Sequence, residues 1–521
     1  MYEQKQYAAA SAILEELRRN PQIAALEDAR DNVLYNLACN YSLLGDAKKA
    51  VDVLREAATA GNLSTANLRQ DSDFDSIRKD PGFVKLLDEL DAKQKPAQML
   101  WSSPAMRTPY REDLPEDEKI AGLSLLWSEA KYNFAYFERL GGIDWDGQYL
   151  SYLAKVRRTK STLEYYQTLA EFLAQLHDGH TNVNFPREAR SRLGWPAINT
   201  HLVEGRVFVD SVLDPELVKE HVQRGSEIVE VDGIPVKQYG EQRWASALSA
   251  SSPQGLAVKI YEGSLLSGPL EWPVKLTLRD ATGSLIQVTL PRKSFADLAK
   301  YPEKPWKRFE RRTLAGNVAY VALRSFGNNA MVKEFDRAFE SIRTSDALIL
   351  DVRENGGGSS SVGWSILGYL TDHEFLSSQW RTRNYRPSFR AWGNPEKWYS
   401  QPGRKLPPHG PNPYSQPVVV LIGPHTYSAA EDFAVAFDAM KRGKLIGEPT
   451  GGSTGQPLVF ALPGGGSARI CTKHDRYPDG KEFVGVGVLP NITAAETVED
   501  FRAGRDTVLE AALRYIGQSQ P

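Results

Sequence analysis

Residues 348–359 read LILDVRENGGGS, and residues 418–434 read VVVLIGPHTYSAAEDFA. In both stretches, a run of hydrophobic residues typical of a buried strand passes into a turn and then into a helical pattern. Further strand and helix patterns alternate around them from Arg308 onward. Such alternation predicts a mostly parallel sheet with covering helices, whose ligand site lies at the carboxyl ends of the strands.

The neighbouring elements of this region follow from the same periodicities. Strands are predicted at VAYVAL, ALILDV, VVVLI and KLIGE. Helices are predicted at Ala330–Arg343, Gly363–Leu370 and Ser428–Lys441. Each of the two quoted turns therefore connects a buried strand to a helix.

The first turn contains three successive glycines, Gly356 to Gly358. Without side chains, their backbone amides can approach a developing negative charge closely. Taken alone, the same pattern is compatible with a phosphate cradle or with a simple chain reversal. It lacks the Lys-Ser/Thr ending of a phosphate loop, which argues against nucleotide binding.

The second turn presents Ser428 where the strand gives way to the helix. A serine hydroxyl at this place is exposed, and the amide of Ala429 lies in the first helical turn, where N–H groups have no partner within the helix. The structural alternative is an ordinary helix N-cap, a position that serine often occupies. Taken alone, the position favours the cap.

The two turns together resemble the core of the tail-specific serine peptidases. Asp351 opens the pattern Asp-x-Arg-x-Asn-x-Gly-Gly, and Ser428 lies in the later pattern Thr-x-Ser-Ala-x-Glu. The similarity extends from about Ile120 to Val498 and includes the closing segment GVGVLPNI. It implies a multidomain α/β protein with a crotonase-like catalytic core, and it implies no metal or organic cofactor. It also implies that Ser428 is the nucleophile and that the amides of Gly357 and Ala429 form the oxyanion hole.

Two branches of that family differ in the residue that serves as general base. One branch uses a lysine in the pattern Gly-x-x-Thr-x-Gly-Lys-Gly, but the matching stretch here reads GEPTGGSTG, with Ser453 in the place of the lysine. The tricorn-like branch uses a histidine on the helical lead-in, and Asp178-Gly179-His180-Thr181 resembles that site. An imidazole with a pKa near ~6.5 accepts the serine proton at neutral pH. The resemblance therefore implies that His180 is the base.

The residue that orients His180 is less well defined by the sequence. The tricorn-like branch uses a serine and a glutamate, whereas Gly179 precedes the histidine here and Val484 stands where the glutamate falls. If this segment alternates as a strand, Glu482 points the same way as Val484 and becomes the expected third member. His474 and Asp475 are the other local candidates. A missing orienter slows a triad without abolishing it, so a slow peptidase and an inactive homologue both stay open.

Shifts in periodicity and composition divide the chain into five regions. The pattern around Leu34–Ala57 resembles a tetratricopeptide repeat, the segment Lys93–Lys119 is rich in proline and charge, and amphipathic helical spacing follows from Ile120 to Gln175. The predicted regions are a tetratricopeptide-like helical domain at 1–95, a linker at 96–119, a helical lead-in carrying the catalytic histidine at 120–192, a PDZ-like β domain at 193–295 and an α/β peptidase core at 296–521.

Two of these regions suggest binding surfaces. Arg224–Val236 resembles the strand-turn-strand signature of a PDZ domain, which captures an extended peptide as an added strand. One helix is predicted in that domain, near Pro215–Val222, and a small β insertion without a ligand is the alternative. The helical repeats suggest a protein partner, or they only stabilise the neighbouring domain.

The composition excludes several other classes of function. The 521 residues include 41% hydrophobic and 25% charged residues with a net charge of −2, so no basic surface for nucleic acid is indicated. The two cysteines, Cys39 and Cys471, lie far apart and suggest neither a disulfide framework nor a cysteine metal site. No apolar run is long enough to span a membrane. Because the N-terminus opens within a helical pattern, we expect that a leader has been removed. Proteins that this chain resembles are commonly extracytoplasmic, so the resemblance implies a periplasmic or secreted location.

The leading prediction is a serine endopeptidase or C-terminal processing peptidase that acts on extended or unfolded polypeptides through an acyl-enzyme, with Ser428 as nucleophile and His180 as base. The alternative is a catalytically weak or inactive homologue that serves as a ligand-binding or peptide-binding scaffold. The third hypothesis is an adaptor that recruits partners through its helical repeats and PDZ-like region. The sequence does not determine the oligomeric state.

Overall fold

The computed structural model describes residues 6–25, 27–60, 63–301 and 306–519. The chain divides into two compact units, Met1–Ala105 and Met106–Pro521. Among the described residues, every helix is too short or too polar to cross a membrane.

The N-terminal unit is helical throughout its described secondary structure. Its core contains Leu37, Leu54, Phe74 and Phe83, all buried. Its α-helices are Tyr7–Arg19, Pro21–Ala25, Glu27–Leu43, Ala47–Ala60, Thr65–Gln70 and Pro81–Trp101. The tetratricopeptide repeat itself stays a prediction.

The last of these helices corrects one boundary of the sequence analysis. Pro81–Trp101 begins at an Asp80 cap with proline in its first turn and continues through Pro96. Residues 96–101 are therefore helical, although they were assigned to the linker. The composition of this segment suggested a linker because proline and charged residues are frequent in linkers. A long helix can nevertheless contain one proline at a local energetic cost.

The second unit begins with a helical layer that leads to His180. Its helices are Glu116–Asn133, Trp145–Arg158 and Thr162–Ala174, so the first starts before the predicted boundary at residue 120. Buried aromatic side chains such as Phe134, Tyr165 and Phe172 join this layer to the core of the unit. The chain then turns and forms the strand Asn182–Asn184, which pairs antiparallel with Ser467–Cys471.

A separate antiparallel β module follows, with its own hydrophobic core. Its strands are Ile198–Val203, Arg206–Val212, Glu227–Val231, Ile234–Pro235, Val274–Arg279 and Leu285–Leu290. The predicted helix is present as Glu216–Lys219, but Val236–Trp244, Pro253–Val258 and the π-helix Lys259–Ser264 are also present. The expectation of one helix was therefore wrong, because such short helices give too few turns for a clear period.

One edge of the sheet in this β module is covered by its own chain. Ile198–Val203 is the terminal strand, and Lys259–Ser264 lies against it. Thr200 Oγ1 donates to the carbonyl of Tyr261 at 2.6 Å, and the amide of Leu202 donates to Glu262 Oε1 at 3.1 Å. A peptide could add to this edge only after that segment moves.

The central sheet of the second unit has six strands among the described residues. Their spatial order is Phe309–Leu314, Val318–Leu323, Ala347–Asp351, Val418–Ile422, Lys444–Gly447 and Ile492–Thr493. The first pair is antiparallel and the other four pairs are parallel. The mostly parallel α/β sheet predicted from the two turns is therefore confirmed.

Helices cover both faces of the central sheet because its strand side chains alternate between two hydrophobic cores. Ser360–Leu367 and Ala429–Met440 pack on one face, and Thr507–Ser519 packs on the other. Ala330–Arg343 also joins the first face, and the predicted Gly363–Leu370 helix lies within Ser360–Leu370 once its final 3₁₀ turn is included. This layering brings the ends of Ala347–Asp351 and Val418–Ile422 next to each other.

Candidate active site

Ser428 sits on a sharp turn between the strand Val418–Ile422 and the helix Ala429–Met440. Its φ of 57° and ψ of −124° are strained for a residue with a side chain. The amide of Ser428 donates to the carbonyl of Ser453 at 3.1 Å, and the amide of Glu431 donates to the carbonyl of Ser428 at 2.8 Å. These bonds hold the strained turn, and strain of this kind is concentrated at functional sites.

His180 lies beside that serine, on the turn after the helix Thr162–Ala174. Its Nε2 is 3.0 Å from Oγ of Ser428, and its side chain is buried. The amide of His180 donates to Asp178 Oδ2 at 3.1 Å, and the amide of Gly179 donates to Ser251 Oγ at 2.9 Å. The structure thus brings together the two side chains predicted as nucleophile and base, within the reach that proton transfer needs.

The other ring nitrogen of His180 does not meet Glu482. Nδ1 of His180 is 2.9 Å from Oγ of Ser453. Glu482 instead contacts His474 at 2.8 Å and forms an ion pair with Arg476. Asp475, another sequence candidate, forms an ion pair with Lys473 at 2.9 Å.

The expectation for Glu482 fails because the backbone after it is not an extended strand. Gly485 and Gly487 have φ values of 92° and 95°, and the amides of Val486 and Gly487 both bond back to the carbonyl of Phe483. Side-chain alternation with a period of two holds only along a strand. The direction of Val484 therefore says nothing about the direction of Glu482.

The glycine-rich turn lies directly against the serine. A β-carbon on Gly357 would be 2.7 Å from Cβ of Ser428 and 3.0 Å from the amide nitrogen of Ala429, and Gly357 has a φ of 96°. The amide of Gly357 donates to Oδ1 of Asn355 at 2.9 Å. The amide of Ala429 has no hydrogen bond to any residue within the described ranges. The two amides predicted as oxyanion donors are thus adjacent. The amide of Gly357 already donates a hydrogen bond within the protein, and the amide of Ala429 is unpaired among the described residues.

Glu431 is a buried carboxylate for which the sequence analysis gave no role. It accepts hydrogen bonds from the amides of Gly452 at 2.7 Å and Ser453 at 2.8 Å, and from the hydroxyls of Thr450 at 2.5 Å and Thr454 at 3.1 Å. Burial raises its pKa to about 7, although these hydrogen bonds lower it. One feature of the sequence could have indicated a role for Glu431. It lies three residues after Ser428, which is the spacing of a capping box.

The electrostatic surroundings keep His180 neutral. Burial, together with the positive charges of Arg469, Lys259 and Lys473, lowers its pKa to about 3. Partial burial of Lys259 lowers its pKa to about 8. Burial raises the pKa of Asp178 despite hydrogen bonds from Thr181 and Ser251. The imidazole is therefore uncharged over the whole physiological range.

A possible cation-binding group occurs elsewhere in the chain. Within the described ranges, Cys39, Asp71 and Asp73 of the N-terminal unit have ligand atoms close enough to share a cation. None of these residues belongs to the Ser428 site.

Comparisons with known proteins point to one class of enzyme. Residues 317–494 match the model of Peptidase family S41. A carboxyl-terminal-processing protease of Picosynechococcus sp. is 24% identical over 380 residues, which cover 70% of this chain and 82% of that protein. A putative tricorn protease homolog 2 of Streptomyces coelicolor is 25% identical over 420 residues, which cover 73% of this chain and 31% of that protein.

A solved structure shares the fold. The structure of mature CPAF complexed with lactacystin superposes with a TM-score of 0.60 at 17% identity, covering 78% of this chain and 97% of that one. The family match spans both turns and the sheet strands from Val318–Leu323 to Ile492–Thr493. Together with the Picosynechococcus relative, it supports a serine peptidase. The chain is similar to carboxyl-terminal-processing proteases, and its match to the family S41 model includes the strand Val418–Ile422, which leads into Ser428.

Proposed function

We propose that this chain is a serine endopeptidase or C-terminal processing peptidase that cleaves extended or unfolded polypeptides. The observation that carries the proposal is the 3.0 Å approach of Ser428 Oγ to Nε2 of a buried histidine, on a strained turn at the carboxyl end of a parallel strand. A peptidase implies a polypeptide substrate, and relatives named as carboxyl-terminal-processing proteases support cleavage near a chain end.

The reaction proceeds through a covalent intermediate. Ser428 Oγ attacks the carbonyl carbon of the scissile peptide while its proton passes to Nε2 of His180. The carbon–nitrogen bond then breaks, and His180 returns the proton to the leaving amine. Water, deprotonated by the same nitrogen, hydrolyses the ester on Ser428 and regenerates the hydroxyl.

The negative charge that develops on the carbonyl oxygen falls next to backbone amides. The open amide of Ala429 is the first donor, and it has the helix dipole of Ala429–Met440 behind it. The amide of Gly357 supplies the second donor. To do so, it either turns away from Oδ1 of Asn355 or donates to that oxygen and to the substrate at the same time. Losing one such donor costs roughly a hundred- to a thousandfold in kcat in comparable sites.

The remaining regions suggest how a polypeptide reaches the site. The β module is proposed to gate or guide an extended substrate, and the N-terminal helices to bind a protein partner. Both roles rest on resemblance and not on the geometry around Ser428.

The test is labelling with a fluorophosphonate probe followed by peptide mapping. We expect an adduct on Ser428 of the folded protein that is absent from Ser428→Ala and from His180→Ala. Ser345→Ala serves as the control, because Ser345 is a buried serine bonded to Tyr414 away from the site. Failure of the folded protein to react at Ser428 would favour the inactive binding scaffold.

A further inference from the structure

The ring of His180 has a hydroxyl where many catalytic histidines have a carboxylate. Oγ of Ser453 is 2.9 Å from Nδ1, and the Ser453 side chain is completely buried. No carboxylate of a described residue forms a hydrogen bond with the ring itself. The orientation and the tautomer of the imidazole therefore depend on groups that carry no charge.

Tyr427 contacts both the imidazole and this hydroxyl. Its hydroxyl donates to Ser453 Oγ at 3.0 Å, and its ring stacks on His180 with centroids 5.0 Å apart and planes 11° from parallel. Burial raises the pKa of Tyr427, so the phenol stays protonated and remains a donor. One aromatic side chain thus restrains the face of the imidazole and the position of its hydroxyl partner.

The space beside His180 is filled by this pair of hydroxyls. A β-carbon on Gly179 would lie 2.3 Å from the Tyr427 hydroxyl and 2.8 Å from Oγ of Ser453. Such approaches are far shorter than van der Waals contact. Glycine at position 179 is therefore required for Ser453 to reach Nδ1 and for the Tyr427 hydroxyl to reach Ser453.

The backbone of Ser453 is fixed relative to the nucleophile. Its amide donates to Oε2 of Glu431 at 2.8 Å, and its carbonyl accepts from the amide of Ser428 at 3.1 Å. The Ser428 amide also approaches the same Glu431 oxygen at 3.3 Å. Nucleophile and hydroxyl partner are thus held by one buried carboxylate.

We infer that Ser453 and Tyr427 are positioning residues that set the ring orientation and the tautomer of His180. In the reactive state, Nδ1–H donates to Ser453 Oγ, which leaves the lone pair of Nε2 for the Ser428 proton. The same oxygen receives Nδ1–H while the imidazolium exists, and stacking on Tyr427 prevents rotation of the ring. The inference rests on the proposed peptidase function, because it concerns the base of that reaction.

The first test compares steady-state kinetics of Ser453→Ala, Tyr427→Phe and Ser345→Ala across pH. Removing a buried hydrogen bond to the base is expected to lower kcat roughly 10- to 100-fold in Ser453→Ala, with KM little changed. Tyr427→Phe keeps the stacked ring, so we expect a smaller decrease in kcat. Ser345→Ala removes a comparable buried serine–tyrosine contact of 3.1 Å and should leave kcat unchanged.

A charge-introducing variant separates positioning from general damage. Ser453→Asp places a carboxylate near Nδ1, which favours the imidazolium and moves the acid limb of the kcat/KM profile to higher pH. A merely structural role for Ser453 would change the amplitude of the profile but not the midpoint of that limb. Unchanged kcat in Ser453→Ala together with an unmoved limb in Ser453→Asp would overturn the inference.

A second readout does not depend on peptidase activity. In ¹⁵N spectra of histidine-labelled protein, with His180 assigned by His180→Gln among the 8 histidines, we expect a protonated Nδ1 and an unprotonated Nε2. Ser453→Ala should give a mixture of tautomers. The same tautomer in both proteins would overturn the inference, whereas absence of a Ser428 adduct with the expected tautomers would overturn only the proposed function.

Discussion

Oε2 of Glu431 accepts a hydrogen bond from the amide of Ser453 at 2.8 Å, deep inside the second unit. The same carboxylate also holds Thr450, Gly452 and Thr454, all of which are donors. The segment that supplies the hydroxyl partner of His180 is thus organised around one acceptor on the helix that follows Ser428.

Replacing that acceptor should destabilise the protein. Glu431→Gln places an amide NH₂ group against donors, so at least one buried donor loses its partner. We expect the free energy of unfolding to fall by about 1–3 kcal/mol, measured by urea denaturation. Glu340→Gln, at an exposed pair with Arg343, is the control and should change stability by less than about 0.5 kcal/mol. Equal stability of the two variants would contradict this role of Glu431.

The pH dependence of serine reactivity should reflect the buried imidazole. With the pKa of His180 lowered to about 3, its imidazole stays neutral as pH falls below the ordinary value of 6.5. We expect the rate of Ser428 labelling to show no histidine limb between pH 7 and pH 5. A decrease near pH 7 that is absent from Glu431→Gln would report on that carboxylate, whose pKa is about 7. A decrease centred on pH 6.5 in both proteins would contradict the account.

The glycine turn offers a matched pair of substitutions. Gly357→Ala brings a β-carbon within 2.7 Å of Ser428 Cβ at a φ of 96°, whereas a β-carbon on Gly356 meets nothing within 4 Å. We expect Gly357→Ala to slow peptide hydrolysis roughly a hundredfold or more, because its β-carbon displaces the proposed oxyanion donor, and Gly356→Ala to retain most activity. The kcat values of the two variants check this. Similar activity of both would place the oxyanion site elsewhere.

Glu262 joins the β module to the turn that carries Ser428. Its two oxygens contact Nδ1 of His201 at 2.9 Å and Nε2 of His425 at 2.6 Å, while Glu496 faces His201 from the other side at 2.9 Å. Burial would raise the pKa of Glu262, but its hydrogen bonds with the two histidines lower it to about 2. Burial would lower the pKa of His201, but Glu262 and Glu496 raise it to about 10.

These opposite shifts define a pH window for stability. The contribution of Glu262 to the free energy of unfolding is present above its unfolded pKa of 4.5. The contribution of His201 is fully present below its unfolded pKa of 6.5 and disappears as pH rises toward 10. Nearby Glu448, whose pKa is raised by burial, adds negative charge as pH rises and favours the charged histidine. We expect Glu262→Gln to cost about 1.5–3 kcal/mol at pH 5.5 and clearly less at pH 9.5, measured by urea denaturation. A cost that is independent of pH would contradict the ion pairs.

The sequence predicts the central sheet and the Ser428–His180 pair, but not the partners of that pair. The hydrophobic runs before Asn355 and Ser428 specify buried strands by themselves, because local patterns decide strand and turn. Glu482 was misplaced because alternation was extended into a segment that turns. The contact between Ser453 and His180 joins residues 273 positions apart, and no local period reports such a pairing.

The most direct test of the central claim is acid-quench mass spectrometry of the protein during cleavage of an unfolded polypeptide substrate. Within the first turnover, we expect a peptide fragment attached to Ser428 as an ester, and we expect neither adduct nor cleavage in Ser428→Ala. Cleavage that persists in Ser428→Ala, or hydrolysis by the unaltered protein without any adduct on Ser428, would contradict a nucleophilic role for this serine.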